Sequence, residues 1–252
     1  MFIDHGVYSH IGKRRHNQDA VKVISESTSM TDKRWLFAVA DGMGGHKGGG
    51  VASELACDGL NHYYERRSNS IRPQRAKSIR DRLVETIIRI DRNIRLYGLR
   101  SSDLEDMGTT LSCLVITPEH SIIAHVGDSR IYRLRNGHLS CLTVDHTFVQ
   151  DMVFEGEVKQ EEAHLHPLAH MLTRVVGSRE QLTHVDSRID PLKLKDSFLL
   201  CSDGLYNTLT NKCILDLLSN ESSASTTAVK IVKQALQEGA MDNVTVIVVK
   251  IK

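Results

Sequence analysis

Seven short apolar runs with the composition of β-strands are the feature that most constrains the fold of this chain. They lie at 21–27, 34–40, 110–118, 121–127, 130–143, 196–203 and 243–251. Runs rich in Val, Ile, Leu and Phe and bounded by Gly, Asn, Asp or Pro are typical of strands. The fifth run carries Asn136-Gly137 between two strand-like halves, which predicts a β-hairpin with a two-residue turn.

Four other segments have the periodicity of helices. They lie at 49–67, 73–98, 212–219 and 223–238, and in the second of them apolar residues recur every three or four positions. Strands and helices are grouped along the chain and do not alternate one by one. This grouping predicts a layered α+β fold. No internal repeat or long linker divides the sequence, so we expect a single domain over 1–252.

Composition excludes several classes of protein. The 252 residues are 40% hydrophobic and 25% charged, with a formal net charge of +1. This balance is ordinary for a globular protein and indicates neither a nucleic-acid partner nor a membrane surface. No apolar run approaches the ~18 residues of a membrane span, and the N-terminus lacks the pattern of a signal peptide. The five cysteines form no CxxC pair and are expected to be free thiols. We therefore expect a cytoplasmic protein without a membrane span.

Aspartates border several of the predicted strands. Asp41, Asp128, Asp203 and Asp242 each adjoin an apolar run and have a Gly or Asn beside them, and Asp19 begins another run. A single Asp-Gly after a strand is most often only a turn. Five acids in this context suggest a cluster, and like charges at close range require cations between them. Hard oxygen ligands without nearby His or Cys favour magnesium or manganese over zinc. Two such ions sharing a carboxylate would lower the pKa of a bridging water toward ~7.

The glycine-rich stretch after Asp41 does not match a nucleotide-binding loop. It lacks a Gly-Lys-Ser/Thr sequence, and Lys47 occupies the position of the last glycine of a GxGxxG pattern. We interpret these glycines as a tight turn whose backbone faces a metal beside Asp41.

Eight sequence strings, in order, resemble those of the bacterial PP2C (PPM) family of metal-dependent serine/threonine protein phosphatases. The strings are SHIGKRRHNQDA, VADGMGGHKGG, MGTTL, HVGDSRIYRL, DHTFVQDMVFEGEVKQEEAHLHP, LTRVVGS, LLCSDGLYNTL and DNVTVIVV. They extend from Ser9 to Val249 and cover nearly the whole chain. The resemblance implies a four-layer α-β-β-α sandwich of two antiparallel sheets flanked by antiparallel helix pairs, with a flap subdomain at about 145–177.

The resemblance also implies a function. A monomeric enzyme would hydrolyse phosphoserine and phosphothreonine on proteins through a metal-bridged hydroxide, opposing a bacterial Ser/Thr kinase. Its cofactors would be Mn²⁺ or Mg²⁺, two in the core site and a weaker third. A relative acting on a phosphorylated regulator of the anti-sigma-antagonist type and a catalytically silent phosphoprotein-binding module are the alternatives. The intact set of metal ligands argues against the silent module.

The metal ligands that the resemblance implies are Asp19, Asp41, Gly42, Asp128, Asp203 and Asp242. In that scheme Asp41 bridges two metals and the Gly42 carbonyl binds one of them. Asp203 and Asp242 complete the set of ligands around the first metal. Asp19 lies in the inner or second shell, and Asp128 holds the third metal together with Asp203.

Three more residues would support the site. Arg14 would grip the substrate phosphate, because its planar fork suits two phosphate oxygens. Gln18 stands beside Asp19 in place of the Glu of other members, and Asn243 would orient Asp242. Asp19 and Asp41 are expected to be catalytic together with Arg14.

Two features of the loops leave questions open. Met43 stands where many eukaryotic members have a histidine thought to protonate the leaving group, so His46 or a metal-bound water would have to take that role. The histidines of the HLHPLAH stretch could bind a soft metal, but the stretch falls in the flap, where a His-Pro is usual. We expect no metal there.

Overall fold

The computed structural model describes residues 1–24, 34–44, 48–61 and 75–252. Its strands are β1 (Ile3–His10), β2 (Asp19–Ile24), β3 (Trp35–Met43), β4 (Gly108–Thr109), β5 (Leu111–Ile116), β6 (His120–Val126), β7 (Arg130–Arg135), β8 (His138–Cys141), β9 (Asp186–Pro191), β10 (Ser197–Cys201) and β11 (Val244–Ile251). Its α-helices are α1 (Gly48–Gly59), α2 (Ala76–Gly98), α3 (Phe148–Glu155), α4 (Asp203–Tyr206), α5 (Asn211–Leu218) and α6 (Ala224–Gln237). Short 3-10 helices lie at Ser102–Leu104 and Ala163–Leu165.

The strands form two antiparallel sheets. One has the order β1-β11-β10-β7-β8, and the other has the order β2-β3-β5-β6-β9 with β4 paired to β3. Alternate residues of each strand point to opposite faces, which explains how both faces of β3 are buried. Phe37 and Val39 enter the core between the sheets. Leu36, Ala38 and Ala40 face the opposite way and pack in the core under α1 and α2.

Helices cover the outer face of each sheet. The apolar stripe of α2, Ile79 to Ile94, is at most 3% exposed and packs with α1 on the second sheet. On the first sheet, α5 and α6 bury Ile214 and Ile231 over β10 and β11. Both helices begin at hydroxyl caps, since Thr210 accepts from the Cys213 N–H and Ser223 from the Thr226 N–H. The layers are therefore α-β-β-α, and the predicted fold class is confirmed.

The elements agree with the sequence interpretation in most places and differ at the sheet edges. Asn136 and Gly137 have φ of 52° and 76° and form the predicted turn between β7 and β8. The edge strands β1 and β9 were not expected from the sequence. Their polar, half-exposed residues lack a continuous apolar run, because each has a neighbour on only one side. Parts of the predicted strand 21–27 and of the predicted helices 49–67 and 73–98 lie outside the described residues.

Antiparallel pairing brings the predicted acidic residues to one end of the sandwich. Asp19 begins β2 and pairs in register with Asp41 of β3. Asp203 follows β10, Asp242 precedes β11, and Asp128 lies in the connection from β6 to β7. Within the described ranges, none of the helices has the length and apolar character of a membrane-crossing segment.

Asp196 links the end of β7 to the turn before β10. Its carboxylate is fully buried and accepts two hydrogen bonds of 2.6 Å from the Arg135 guanidinium and one of 2.9 Å from the Lys193 N–H. We expect Asp196→Ala to lower the free energy of unfolding by about 1–3 kcal/mol, because it removes these three hydrogen bonds and leaves the Arg135 guanidinium with the Pro191 carbonyl as its acceptor. Urea denaturation measures this loss.

Asp106 provides the control for that experiment. It contacts Arg179 at 2.8 Å, but the two side chains are 74% and 64% exposed. An exposed ion pair of this kind contributes at most about 1 kcal/mol. A loss for Asp106→Ala equal to that for Asp196→Ala would contradict the assignment of Asp196 as a buried structural anchor.

Candidate active site

An open cavity of about 1040 Å³ lies where the acid-bearing strand ends meet. Four of the predicted acids, Asp41, Asp128, Asp203 and Asp242, line it together. Arg14 and its neighbours in the loop after β1 also line it, as does a short part of the segment between β8 and β9. The cavity therefore combines a cluster of carboxylates with several cationic side chains.

The backbone of Asp41 is fixed on both sides. Its N–H donates to the Thr110 hydroxyl at 2.9 Å, and its carbonyl accepts from the Thr110 N–H and the Thr109 hydroxyl, each at 2.9 Å. The next residue, Gly42, donates its N–H to the Gln18 carbonyl at 3.1 Å. A Cβ at Gly42 would lie 2.1 Å from the carbonyl oxygen of Gly49. Glycine is required here because α1 begins against this turn.

Asp19 is held by neutral donors and keeps one oxygen unpaired. Its Oδ2 accepts from the Ser202 hydroxyl at 2.8 Å. Its Oδ1 is buried, and no hydrogen-bond partner for it is found among the described residues. Burial, reinforced by the charges of Asp203 and Asp242, raises the pKa of Asp19 to about 6. An orphaned, buried carboxylate oxygen facing other acids is a good position for a cation or for a water bound to one.

The pKa values of three other acids in the site are also raised. Burial first, and then the charges of Asp203 and Asp145, raise the pKa of Asp128 to about 7. Burial and the charges of four other acids, Asp19 foremost, hold the pKa of Asp41 well above its usual range. The pKa of Asp203 is raised by burial and by Asp242, and its carboxyl has that of Asp41 as a hydrogen-bond partner. Without a cation these groups keep their protons to a higher pH than an isolated aspartate does.

Arg130 and Tyr206 form a support behind Asp128 that the sequence analysis missed. The Tyr206 hydroxyl donates to the Asp128 carbonyl at 3.1 Å. The Arg130 guanidinium lies 3.6 Å from the centre of the Tyr206 ring and donates to both oxygens of Asp145, at 3.0 Å and 2.6 Å for the two closest contacts. Arg130 lies two residues after Asp128, so its place in the same string was the available signal.

Arg14 lies at the mouth of the cavity. Its Nη2 contacts Asp242 Oδ2 at 2.6 Å, while its side chain remains 62% exposed. The predicted phosphate-binding side chain therefore reaches the predicted metal ligands and is accessible from solvent. Arg15 lines the same cavity.

Asn243 contacts Asp242 through its backbone and the loop of Arg14 through its side chain. Its backbone N–H donates to Asp242 Oδ1 at 2.8 Å, but its side chain turns away. The side-chain carbonyl accepts from the Gln18 N–H, and the side-chain amide donates to the carbonyls of Ile11 and His16. Through these three hydrogen bonds, the Asn243 side chain fixes the loop that carries Arg14. Only its backbone orients Asp242.

The structure describes Met43 but not His46, one of the two candidates for the proton donor. Met43 lines the cavity and is 41% exposed, and its thioether has no proton to donate. His46 lies outside the described residues. Gln18 contributes through its carbonyl, which accepts from Gly42 and from the Ser53 hydroxyl at 2.6 Å.

The residues fit hard divalent cations. The donor set consists of carboxylate oxygens, one of them orphaned, and burial together with the charges of neighbouring acids raises their pKa values. Among the described residues no three His, Cys, Asp or Glu side chains form a preassembled metal cluster. Magnesium-like ions do not require one, since they keep several waters and use only one or two carboxylates each.

Comparisons with known proteins agree with this site. The family model described as protein phosphatase 2C matches residues 8–241. The chain belongs to the protein phosphatase 2C family. This phosphatase is 35% identical over 237 residues to the serine/threonine phosphatase stp of Listeria innocua, covering 94% of the chain and 91% of that protein.

Solved structures give the same result. The phosphatase PstP/Ppp of Mycobacterium tuberculosis has a TM-score of 0.86 at 32% identity, with 99% of each chain covered. The catalytic domain of PstP in complex with two manganese ions has a TM-score of 0.82 at 32% identity, covering 99% and 98% of the chains. The predicted family, sandwich fold and enzyme class, a serine/threonine phosphatase, are confirmed. The roles of the individual site residues stay predictions.

The raised pKa of Asp128 predicts how stability depends on pH. Between about pH 4 and about pH 7 the folded protein keeps a proton on Asp128 that the unfolded chain has released, so this group makes the free energy of unfolding fall as pH rises. In chelator, we subtract the unfolding temperature of the unmodified protein from that of Asp128→Asn. We expect this difference to increase by several degrees between pH 5.5 and pH 8. Scanning calorimetry at matched pH measures the difference.

The two proteins must be compared at the same pH, because buried imidazoles change the free energy of unfolding with pH in the opposite direction. Burial lowers the pKa of His125 to about 3, so it makes stability rise with pH below about 6.5 in both proteins. Saturating manganese should remove the advantage of the variant. A difference in unfolding temperature that stays constant across this pH range would contradict the assigned environment of Asp128.

Proposed function

We propose that this phosphatase hydrolyses phosphoserine and phosphothreonine side chains of proteins and requires Mn²⁺ or Mg²⁺. The observation that carries the proposal is the convergence of Asp41, Asp128, Asp203 and Asp242 with Arg14 on one open cavity. The names of its relatives support the substrate class. The cavity is open enough for a phosphorylated side chain presented by a protein surface.

The carboxylates would hold the ions. Asp41 would lie between two of them, with Asp203, Asp242, the Gly42 carbonyl and Asp19 around it, and the PstP structure with two manganese ions supports this number. Asp128 with Asp203 would hold a weaker third. When bound, such ions polarise phosphoryl oxygens and provide a nucleophile at neutral pH. Ser202 keeps Asp19 in place through its hydrogen bond to Oδ2.

Arg14 would bind the substrate phosphate. Its guanidinium now pairs with Asp242, and it would exchange this contact for two phosphate oxygens once the carboxylate charge is neutralised. Asn243 keeps the loop of Arg14 against β2, so the arginine acts from a fixed base.

The biological setting is part of the same proposal. The partners would be phosphorylated proteins and the Ser/Thr kinase that modifies them, in the cytoplasm, with the phosphatase acting as a monomer. Residues 1–252 would form one catalytic domain, and the flap at about 145–177 would contribute to substrate choice.

Metal dependence is the first test. Exhaustive chelation should abolish turnover of a phosphothreonine peptide, and manganese should restore it, because the carboxylates alone have no electrophile to offer. Asp203→Asn should lower kcat by at least about a hundredfold, a loss of some 2.7 kcal/mol of transition-state stabilisation, with an unchanged unfolding midpoint or a higher one. Asp216→Asn on the exposed face of α5 is the matched control. Full activity in chelator would contradict the proposal.

The role of Arg14 is the second test. Arg14→Ala should raise KM for phosphopeptides about tenfold with a smaller effect on kcat, because the contact exists in both the bound substrate and the transition state. Steady-state kinetics at saturating manganese measure both constants. Arg92→Ala, an exposed arginine of α2, controls for the loss of one positive charge. A fall in kcat at unchanged KM would assign Arg14 to the transition state alone.

A further inference from the structure

The flap presents one histidine to the cavity. Of His164, His166 and His170 in the HLHPLAH stretch, only His170 lines the cavity that contains Asp41, Asp128 and Asp203. The ring of His166 is already used, since its Nδ1 accepts from the Leu168 N–H at 3.2 Å. The three histidines therefore do not act as one metal-binding group, and His170 has a different environment from the other two.

The backbone next to His170 is anchored. The Met171 carbonyl accepts from the Phe148 N–H at 2.8 Å, and Leu172 pairs with Thr147 in an isolated bridge. Thr147 is also the N-cap of α3, since its hydroxyl accepts from the Gln150 N–H at 3.3 Å. His170 thus projects from a segment tied to the first turn of the flap, which gives its side chain a defined position at the cavity.

The imidazole of His170 is available to a ligand. It is exposed, and the contacts of the described residues include no hydrogen bond or ion pair to its ring. Its electrostatic influence reaches the site, because a positive charge on His170 opposes the upward shift in the pKa of Asp203. The other Lys, Arg and His side chains that line the cavity, at 13–16, all come from the single loop after β1.

A phosphate monoester presents three strong acceptor oxygens, so donors outside that loop can also bind it. Arg14 supplies one side, and Met43, which lines the cavity beside Asp41, has no proton to donate. The flap contributes only His170 and Leu172 to the lining, so His170 is its polar group.

We propose that His170 is a substrate-binding residue that donates an imidazole N–H to the phosphate group and so links the flap to the bound substrate. Both the neutral and the charged ring carry an N–H, so the contact does not depend on the protonation state. This inference rests on the proposed function, since it assigns a ligand to the same cavity. It makes the flap part of phosphate recognition as well as of contact with the protein substrate.

Three variants test it: His170→Ala, His170→Gln and, as the matched control, His164→Ala, an exposed histidine of the flap outside the cavity lining. KM and kcat are measured on a phosphothreonine peptide and on p-nitrophenyl phosphate at saturating manganese. Calorimetry with inorganic phosphate gives Kd without turnover. We expect His170→Ala to raise both KM values and the phosphate Kd by about five- to tenfold, the size of one hydrogen bond. His170→Gln, which retains an N–H donor, should recover most of the loss.

Two results would overturn the inference. One is a His170→Ala variant whose KM and phosphate Kd stay within twofold of those of His164→Ala. The other is a fall in kcat with unchanged KM and unchanged phosphate binding, which would place His170 in the chemical step. If the unmodified protein failed to hydrolyse the peptide, the proposed substrate class would fall, and the phosphate titration would still decide the role of His170.

Discussion

Mutual repulsion among buried carboxylates is the constraint on which the rest of this structure depends. Asp128 is buried and Asp19, Asp41 and Asp203 are half-buried. Burial raises the pKa of all four, and the charge of Asp203 adds to the rise for the other three. These acids come together only because other contacts hold their strands in place. Those contacts are the core between the two sheets and the helices on the outer faces. The fold therefore imposes on the acids a proximity that they would not adopt by themselves, and this makes cation binding favourable.

The supports around the acids differ according to what each acid must do. Asp19 is held by the neutral hydroxyl of Ser202, which leaves its charge uncompensated for a cation. Asp128 has Arg130 behind it, but the guanidinium is already engaged by Asp145 and stacked on Tyr206, so it fixes the loop while neutralising little of the Asp128 charge. Arg130 thus contacts no carboxylate oxygen of Asp128 directly. Arg14 does contact Asp242, but its side chain is exposed and can give up this contact.

A layered α+β fold and acids at strand ends were predictable from local sequence, the four-layer sandwich from the family resemblance, and the supports of the acids from neither. Apolar runs such as that around Phe37 and the turn at Asn136-Gly137 are local signals, and an Asp at a strand end is visible without any knowledge of pairing. The edge strands β1 and β9 were missed because their half-exposed faces leave no apolar pattern. The side-chain role of Asn243 depends on a contact with Gln18 that spans 225 positions, and no spacing rule in one sequence can reveal it.

The flap and the Asp128 loop are not independent parts. His146, at the start of the flap, exchanges two hydrogen bonds with Gly127: its N–H donates to the Gly127 carbonyl at 2.8 Å, and its Nδ1 accepts from the Gly127 N–H at 3.0 Å. The carbonyl of His146 in turn accepts from the Thr173 N–H at 2.9 Å, three residues after His170. Burial lowers the pKa of His146, which keeps its Nδ1 an acceptor near neutral pH. The backbone and the ring of His146 therefore join the backbone beside Asp128 to the flap segment that follows His170, so the two sides of the cavity keep their relative position.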